Sequence, residues 1–251
     1  AERGTAVHDA LERIMGEEVA PDDPEALSIF SDYMVRALRD QGFAEHQIPA
    51  ELARFKRAGQ WVLNWEAERR AKGWSIAMLE GQGEMVLTSA GGDFTIKAYA
   101  DRIDRGVDGF AVLDYKTGGF ASPAEVYAGF DPQLPLEAAI LEKKGFTKDG
   151  QTVCGTACSL GYIKITGGRE PGAFKALEEG SKRSIGEAIS TPEFQQKALD
   201  QLHDLIIWFD NPAHPYLCQP RAKYVDSYSQ YDLLARRAEW AATIEDEGGE
   251  P

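Results

Sequence analysis

Apolar residues return every three or four positions through the first seventy residues, and then the period changes. Val7, Leu11, Ile14 and Met15 fall on one face of a helix predicted over residues 4–19. Thr5 is its candidate N-cap, three residues before His8. The stretch "APDDPEA" interrupts the pattern, and Asp22 or Asp23 can cap the second helix. That helix is predicted over 24–41 and a third over 49–72. The third carries Phe55, Trp61, Val62 and Trp65, and closes on Arg69, Arg70 and Lys72, where cations suit the negative end of the helix dipole.

Beyond Ser75 alternation takes over. Phe94, Ile96 and Ala98 alternate with Thr95, Lys97 and Tyr99, and "SAGGD" and "GVDGF" are turn signals, so this region reads as a meander of short strands. A helix is predicted over 123–144, with Leu134, Ala138 and Leu141 on one face. "TVCGTACSLGYIKIT" reads as a strand, residues 173–190 and 192–210 as helices, "NPAHPY" as a break and 227–242 as a last helix. This order predicts an α/β fold, a central mixed β-sheet flanked by helices with a large helical share. The 251 residues then form a single domain: a helical part at about 1–74, a sheet core at about 75–166 and a helical part at about 173–242.

Composition narrows the picture. An apolar fraction of 43% supports a true core. No run has the length of a membrane-spanning helix, so no membrane partner is expected. The N-terminus lacks the cationic start and apolar block of a secretory signal, and its abrupt helical opening is what a fragment of a longer chain would show. Three unpatterned cysteines, Cys154, Cys158 and Cys218, fit a reducing, cytoplasmic setting. The net charge of −14 counts against a general grip on nucleic acid, while leaving room for a local one or for a partner that supplies a basic channel. Part of the acidic excess lies in the terminal "IEDEGGEP".

Candidate chemistry centres on "AVLDYKTGGF". Asp114 and Lys116, two apart on a strand, share a face. Asp101 precedes Asp114 by thirteen residues, and two antiparallel strands joined by "GVDG" bring it toward that face. Two carboxylates together repel, more so when buried, and require a positive partner. A hard divalent cation is the natural one, magnesium above all, with Lys116 beside it to orient or deprotonate water. Taken singly, each residue has a plainer reading. An Asp-x-Lys pair is a surface ion pair, and Asp104 and Arg105 read the same way. His8 is a half-buried helix histidine, Gln133 a helix-start amide, and Glu80 or the equally available Glu84 a solvated turn acid. Tyr99, Tyr127 and Phe130 can be read as cleft walls or as core.

Together these residues resemble a family. "GTAVH" ending at His8, Glu80, "ADRID" with Asp101, "DYKTG" with Asp114 and Lys116, and "QLPLE" opening at Gln133 match the order of the RecB-like branch of the PD-(D/E)xK nuclease superfamily. "FTIKAYADRIDR", "VLDYKTG", "GFDPQLPLEAAIL" and "YDLLARRAEW" are similar to the C-terminal nuclease domains of the alphaproteobacterial AddB family. The resemblance implies a restriction-endonuclease-like core and a magnesium-dependent deoxyribonuclease, with manganese as substitute. DNA would be the substrate and an AddA-type helicase–nuclease subunit the partner. It implies metal binding by Asp101, Asp114, the Tyr115 carbonyl and His8, a water-positioning role for Lys116, and a role for Gln133 in orienting Lys116 or the DNA backbone. Glu80 is a further position carried over. Glu137 stands where many relatives have tyrosine, and the cysteines do not match the iron–sulfur set of some relatives, so no cluster is expected. The rival expectations are a catalytically inactive module that kept the nuclease fold, and a free-standing CRISPR-associated exonuclease of the same branch.

Overall fold

Three N-terminal helices form because their apolar stripes are continuous enough to bury one face each. In the computed structural model, which describes residues 2–17, 19–180 and 188–215, they are α1 (Glu2–Gly16), α2 (Ala26–Asp40) and α3 (Ile48–Ala71). Helix α1 buries Ala6, Val7, Ala10, Leu11, Ile14 and Met15, the stripe that its spacing predicts. It begins at Glu2, so Thr5 lies inside the helix rather than capping it. Nor do Asp22 and Asp23 cap α2: the N-cap position is Glu25, with no side-chain cap, and Asp23 accepts the Glu25 N–H in the preceding turn.

The sheet has seven strands: β1 (Ser75–Ser89), β2 (Gly92–Arg105), β3 (Phe110–Lys116), β4 (Phe146–Lys148), β5 (Gln151–Val153), β6 (Ala157–Ile165) and β7 (Gly172–Ala176). Their order is β5-β4-β1-β2-β3-β6-β7, with β3 and β6 parallel and the other neighbours antiparallel. Strand β3 sorts its residues cleanly. Ala111, Leu113 and Tyr115 join the core beneath α1–α3, while Val112 joins the core of the opposite layer with Leu134, Ala138 and Leu141. The architecture is thus a mixed sheet between two helical layers, as the order of patterns predicts.

Local departures have identifiable causes. The segment 123–144 is two helices, α4 (Pro123–Tyr127) and α5 (Gln133–Lys143), because Gly129 takes a left-handed φ of 82° and Pro132 comes soon after. The strand read at Thr152–Thr166 is cut at Gly155, giving β5 and β6. Asp149 and Gly150, both at positive φ, turn β4 into β5 as an Asp-Gly hairpin. Residues 173–190, whose pattern predicts helix, open instead as β7, which pairs with β6 from Gly161↔Ala176 to Ile165↔Gly172. The short α6 (Leu177–Gly180) comes only after it. Sheet pairing outweighs the local preference here. Helix α7 runs Thr191–Asp210, and the helix predicted over 227–242 lies outside the described residues. The chain divides into the units Ala1–Ile207 and Trp208–Pro251, and the site belongs to the first.

One irregularity matters for function. Ala100 and Ile103, three apart on β2, belong to the same core cluster, so the strand's alternation slips between them, at Asp101 and Arg102. Opposite that point Glu80 on β1 sits at φ 51°, in the left-handed region that non-glycine residues seldom occupy. The β2–β3 ladder also ends there. Its pairs run from Arg105↔Phe110 to Arg102↔Leu113, whereas β3 stays beside β6 as far as Lys116↔Lys164.

Candidate active site

Where β2 and β3 part, a side chain takes the place of a ladder acceptor. The Tyr115 N–H donates to Asp101 Oδ2 at 2.9 Å, so Asp101 both closes the gap and is held in it. The same oxygen lies 3.5 Å from His8 Nδ1 on α1. His8 in turn stands edge-on to the Tyr115 ring, 5.9 Å between centroids. Helix α1 reaches this close because of Gly4: a Cβ there would come within 3.3 Å of Thr117 Oγ1. His8, Glu80 and Asp101 each present one ligand atom, all within 4.8 Å of one another. That is the donor set of a divalent-cation site, two carboxylates and an imidazole.

The structure distinguishes the two glutamates that spacing leaves equal. Glu80 enters this trio through its left-handed backbone. Glu84 lies farther along β1, facing Lys97 across the ladder. Burial, then the charges of Asp101 and Glu12, push the Glu80 carboxyl up to about 7.

Asp114, Lys116 and Gln133 form a second, connected group. Lys116 Nζ is 3.0 Å from each Asp114 oxygen, and its aligned hydrogen bond goes to Oδ1. Gln133, the first residue of α5, accepts from Lys116 Nζ through Oε1 at 3.2 Å and donates through Nε2 to Asp114 Oδ1 at 2.9 Å. Asp114 Oδ2 is buried with no aligned hydrogen bond. Burial, and next to it the charge of Asp101, raise Asp114 to about 6. That repulsion links the two groups into one site: Asp101 and Asp114 lie close enough to feel each other, although Asp114 is not part of the metal-capable trio.

Two further residues complete the surroundings of these groups. Glu137 is buried on α5, accepts from Gln133 Nε2 at 3.1 Å, and leaves Oε2 without a partner. Burial, the largest cause, holds its carboxyl well above the usual range. The Tyr115 ring lies in the core beneath α1–α3, edge-on to His8, with its hydroxyl accepting from Arg102 at 3.3 Å, while its main-chain N–H meets Asp101. Of the three aromatic wall candidates, Tyr127 packs edge-on against Phe194 and Tyr99 is 61% exposed. Tyr99 lines a groove of about 800 Å³ that reaches Glu80. Cys154 and Cys158 are free thiols, and Cys218 lies outside the described residues.

Asp104 corrects the surface ion pair that the sequence suggests. It is fully buried and takes hydrogen bonds from Arg102 Nε at 2.7 Å and Arg69 Nε at 2.5 Å. Arg105 instead lies over the Phe110 ring. The slip in β2 is the reason: Arg102 and Asp104 fall on the α3 side, where Glu66 accepts from Arg102 at 2.6 Å.

The comparison with known proteins agrees with this geometry. A family model of the PD-(D/E)XK nuclease superfamily matches residues 1–224, and the chain belongs to that superfamily. It is 34% identical over 99 residues to an uncharacterized protein of Rickettsia felis, covering 39% of this chain and 11% of that one. It is 38% identical over 85 residues to the uncharacterized protein RC0550 of Rickettsia conorii, 34% of this chain and 10% of that one. The chain therefore spans about a tenth of the length of the curated relatives it matches. The crystal structure of SSO0001 shares 16% identity over 78% of this chain and 73% of its own, at a TM-score of 0.29, too loose a likeness to place any residue.

Proposed function

We propose that this chain is a metal-dependent deoxyribonuclease that hydrolyses phosphodiesters of DNA, acting as an exonuclease on single strands. The observation that carries the reading is the meeting of His8, Glu80 and Asp101 within 4.8 Å, beside the Asp114–Lys116–Gln133 group. A purely structural domain need not keep a group of carboxylates that repel one another. The donor chemistry fits a hard divalent ion, magnesium or manganese: His8, Glu80 and Asp101 would hold it, with Asp114 and the Tyr115 carbonyl at its flank. Bound there, the cation would supply Lewis-acid neutralisation of phosphate charge.

The protein's own groups supply the rest. Lys116 holds and polarises the attacking water through Nζ and meets the negative charge that grows on the phosphoryl oxygens. Asp114 and Gln133 each accept a hydrogen bond from the Lys116 ammonium, and a third bond, from Gln133 Nε2 to Asp114, braces the two acceptors, which restricts the rotamers of Lys116 before substrate arrives. Asp101 keeps β2 and β3 parted at a fixed width through the Tyr115 N–H. In the wider setting, the similarity to AddB nuclease domains favours a place in a double-strand break repair helicase–nuclease with an AddA-type partner, in the cytoplasm. Among the described residues, no helix is long and apolar enough to cross a membrane.

The test joins manganese titration by calorimetry with a cleavage assay on single-stranded DNA, for wild type and Asp101→Ala. Manganese binding lost in Asp101→Ala, with cleavage lost alongside it, supports the reading. Wild-type protein that binds no manganese and cuts no DNA would instead be the inactive nuclease-fold module.

A further inference from the structure

A groove of about 490 Å³ opens on the β6–β7 side of Lys116. Its charged lining is Lys164, Arg169 and Lys175 against one carboxylate, Glu170, in a chain whose net charge is −14. The sheet register sets this groove in line with the site. Lys164 is the partner of Lys116 in the β3–β6 ladder, so it starts one strand, about 5 Å, away on the same face. Lys175 is the partner of Tyr162, and Tyr162 is the partner of Asp114. Cations thus succeed one another outward from Lys116 to the edge of the sheet.

Beyond Lys116, which Asp114 pairs, aromatic rings rather than carboxylates space these cations. Phe120 stacks on Tyr162, 5.1 Å between centroids. Lys164 Nζ and Lys175 Nζ lie 5.8 and 5.6 Å from the Phe120 centroid, and Lys116 Nζ lies 5.8 Å from that of Tyr162. Among the described residues, no carboxylate forms an ion pair with Lys164, Arg169 or Lys175. A lysine on an edge strand such as β7 also discourages unwanted pairing, which would account for Lys175. It accounts for neither Lys164, on an interior strand, nor Arg169. The larger groove beside Glu80 lacks this bias. There Lys97, Lys144 and Lys148 face Glu80, Glu84 and Asp149, and Lys148 is already bonded to Glu12.

We infer that the groove bounded by Lys164, Arg169 and Lys175 holds the phosphate backbone of a single DNA strand adjoining the phosphate under attack, an inference that rests on the nuclease reading above. Contacts of this kind fix the register of a strand without reading its bases.

The experiment is binding of a fluorescent single-stranded oligonucleotide, measured by anisotropy, with calcium in place of magnesium and across a series of salt concentrations. At about 0.7 in the slope of log K against log salt per contact on a single strand, the triple variant Lys164→Gln, Arg169→Gln, Lys175→Gln should lower the slope by about 2. It should weaken every sequence alike. Thermal unfolding checks the fold; should the triple variant not fold, the pair Lys164→Gln, Arg169→Gln should still lower the slope by about 1.4. An unchanged slope in a folded variant overturns the inference. So does competition by polyglutamate of equal charge that matches unlabelled oligonucleotide, since the groove would then suit an acidic protein. Failure of the nuclease reading shows separately, as no cleavage by wild type with magnesium or manganese, and leaves the binding slope readable.

Discussion

Two polar clusters are built on the same two strands from the same kinds of residue, yet they have opposite characters. On the α3 side of the sheet Arg102, Asp104, Glu66, Arg69 and the Tyr115 hydroxyl alternate in sign, and nearly every charged atom has a close partner of opposite charge. Burial alone would raise Glu66, but Arg102 and Arg70 outweigh it and hold that carboxyl below its usual value. Around the parting of β2 and β3, Glu80, Asp101, Asp114 and Glu137 crowd carboxyl groups around one ammonium, and three of the four are pushed upward by burial and by neighbouring carboxylates. Neighbours in the chain, such as Asp101 and Arg102 or Asp114 and Tyr115, belong to different clusters. The difference is one of completeness. The first network is nearly closed within the protein, whereas the second gathers more carboxyl groups than cations.

The contrast can be broken most forcefully at Lys116. Lys116→Ala should cut DNA cleavage by roughly 10²–10⁴-fold, the usual share of a positioned proton-transfer group, with a melting temperature near wild type. Cleavage at the wild-type rate would remove Lys116 from the chemistry. Arg102→Ala should do the reverse and act on stability. It leaves buried Asp104 with Arg69 alone and buried Glu66 with Arg70 alone, at a cost of about 3–5 kcal/mol in urea unfolding. A loss under about 1 kcal/mol would mean that the network is hydrated or redundant.

Smaller effects sharpen the comparison. Glu80→Gln should weaken manganese binding by at least the ~10–100-fold that changes behind a metal ligand cost, whereas Glu84→Gln should leave it unchanged. The reverse ranking would move the third ligand to Glu84. Finally, the two clusters should differ in the sign of their pH dependence. Glu66 is depressed in the folded state, so its contribution is present above the ordinary glutamate pKa and fades as pH falls through the folded value. Glu137 is raised, so the folded state keeps a proton that the unfolded chain releases, and stability falls as pH rises above the ordinary glutamate range. Glu137→Gln should therefore melt higher than wild type at about pH 8, with the gap closing near about pH 4. A gap that widens toward acid would reverse the assignment.

Much of the fold and of the site is legible in the chain itself. The helical stripe of α1, the alternation of β3 and the start of α5 at Gln133 come from periodicity, and they carry His8, Asp114 with Lys116, and Gln133 to their elements. The hairpin through "GVDG" brings Asp101 back beside β3. What escapes is whatever depends on partners distant in sequence. Asp104 looks like a surface acid because nothing nearby announces Arg69, thirty-five residues earlier. The strand β7 looks helical because its pairing with β6 is invisible locally. Glu137 looks like the polar side of an amphipathic helix, yet α5 is enclosed nearly all round. Only the Asp149-Gly150 turn had a local signal that the broad pattern obscured, the Asp-Gly pair itself.

The amino-acid order by itself determined the elements, the mixed α/β architecture and the short roster of groups able to do chemistry, because period, turn residues and residue type act over a few positions. The tertiary structure alone decided which of those groups share a space. A slip in β2 at Asp101 and a left-handed turn of Glu80 set the open cluster apart from the closed one. Both arise from the parting of two strands and the helices packed against them, and no stretch of sequence specifies such long-range packing on its own.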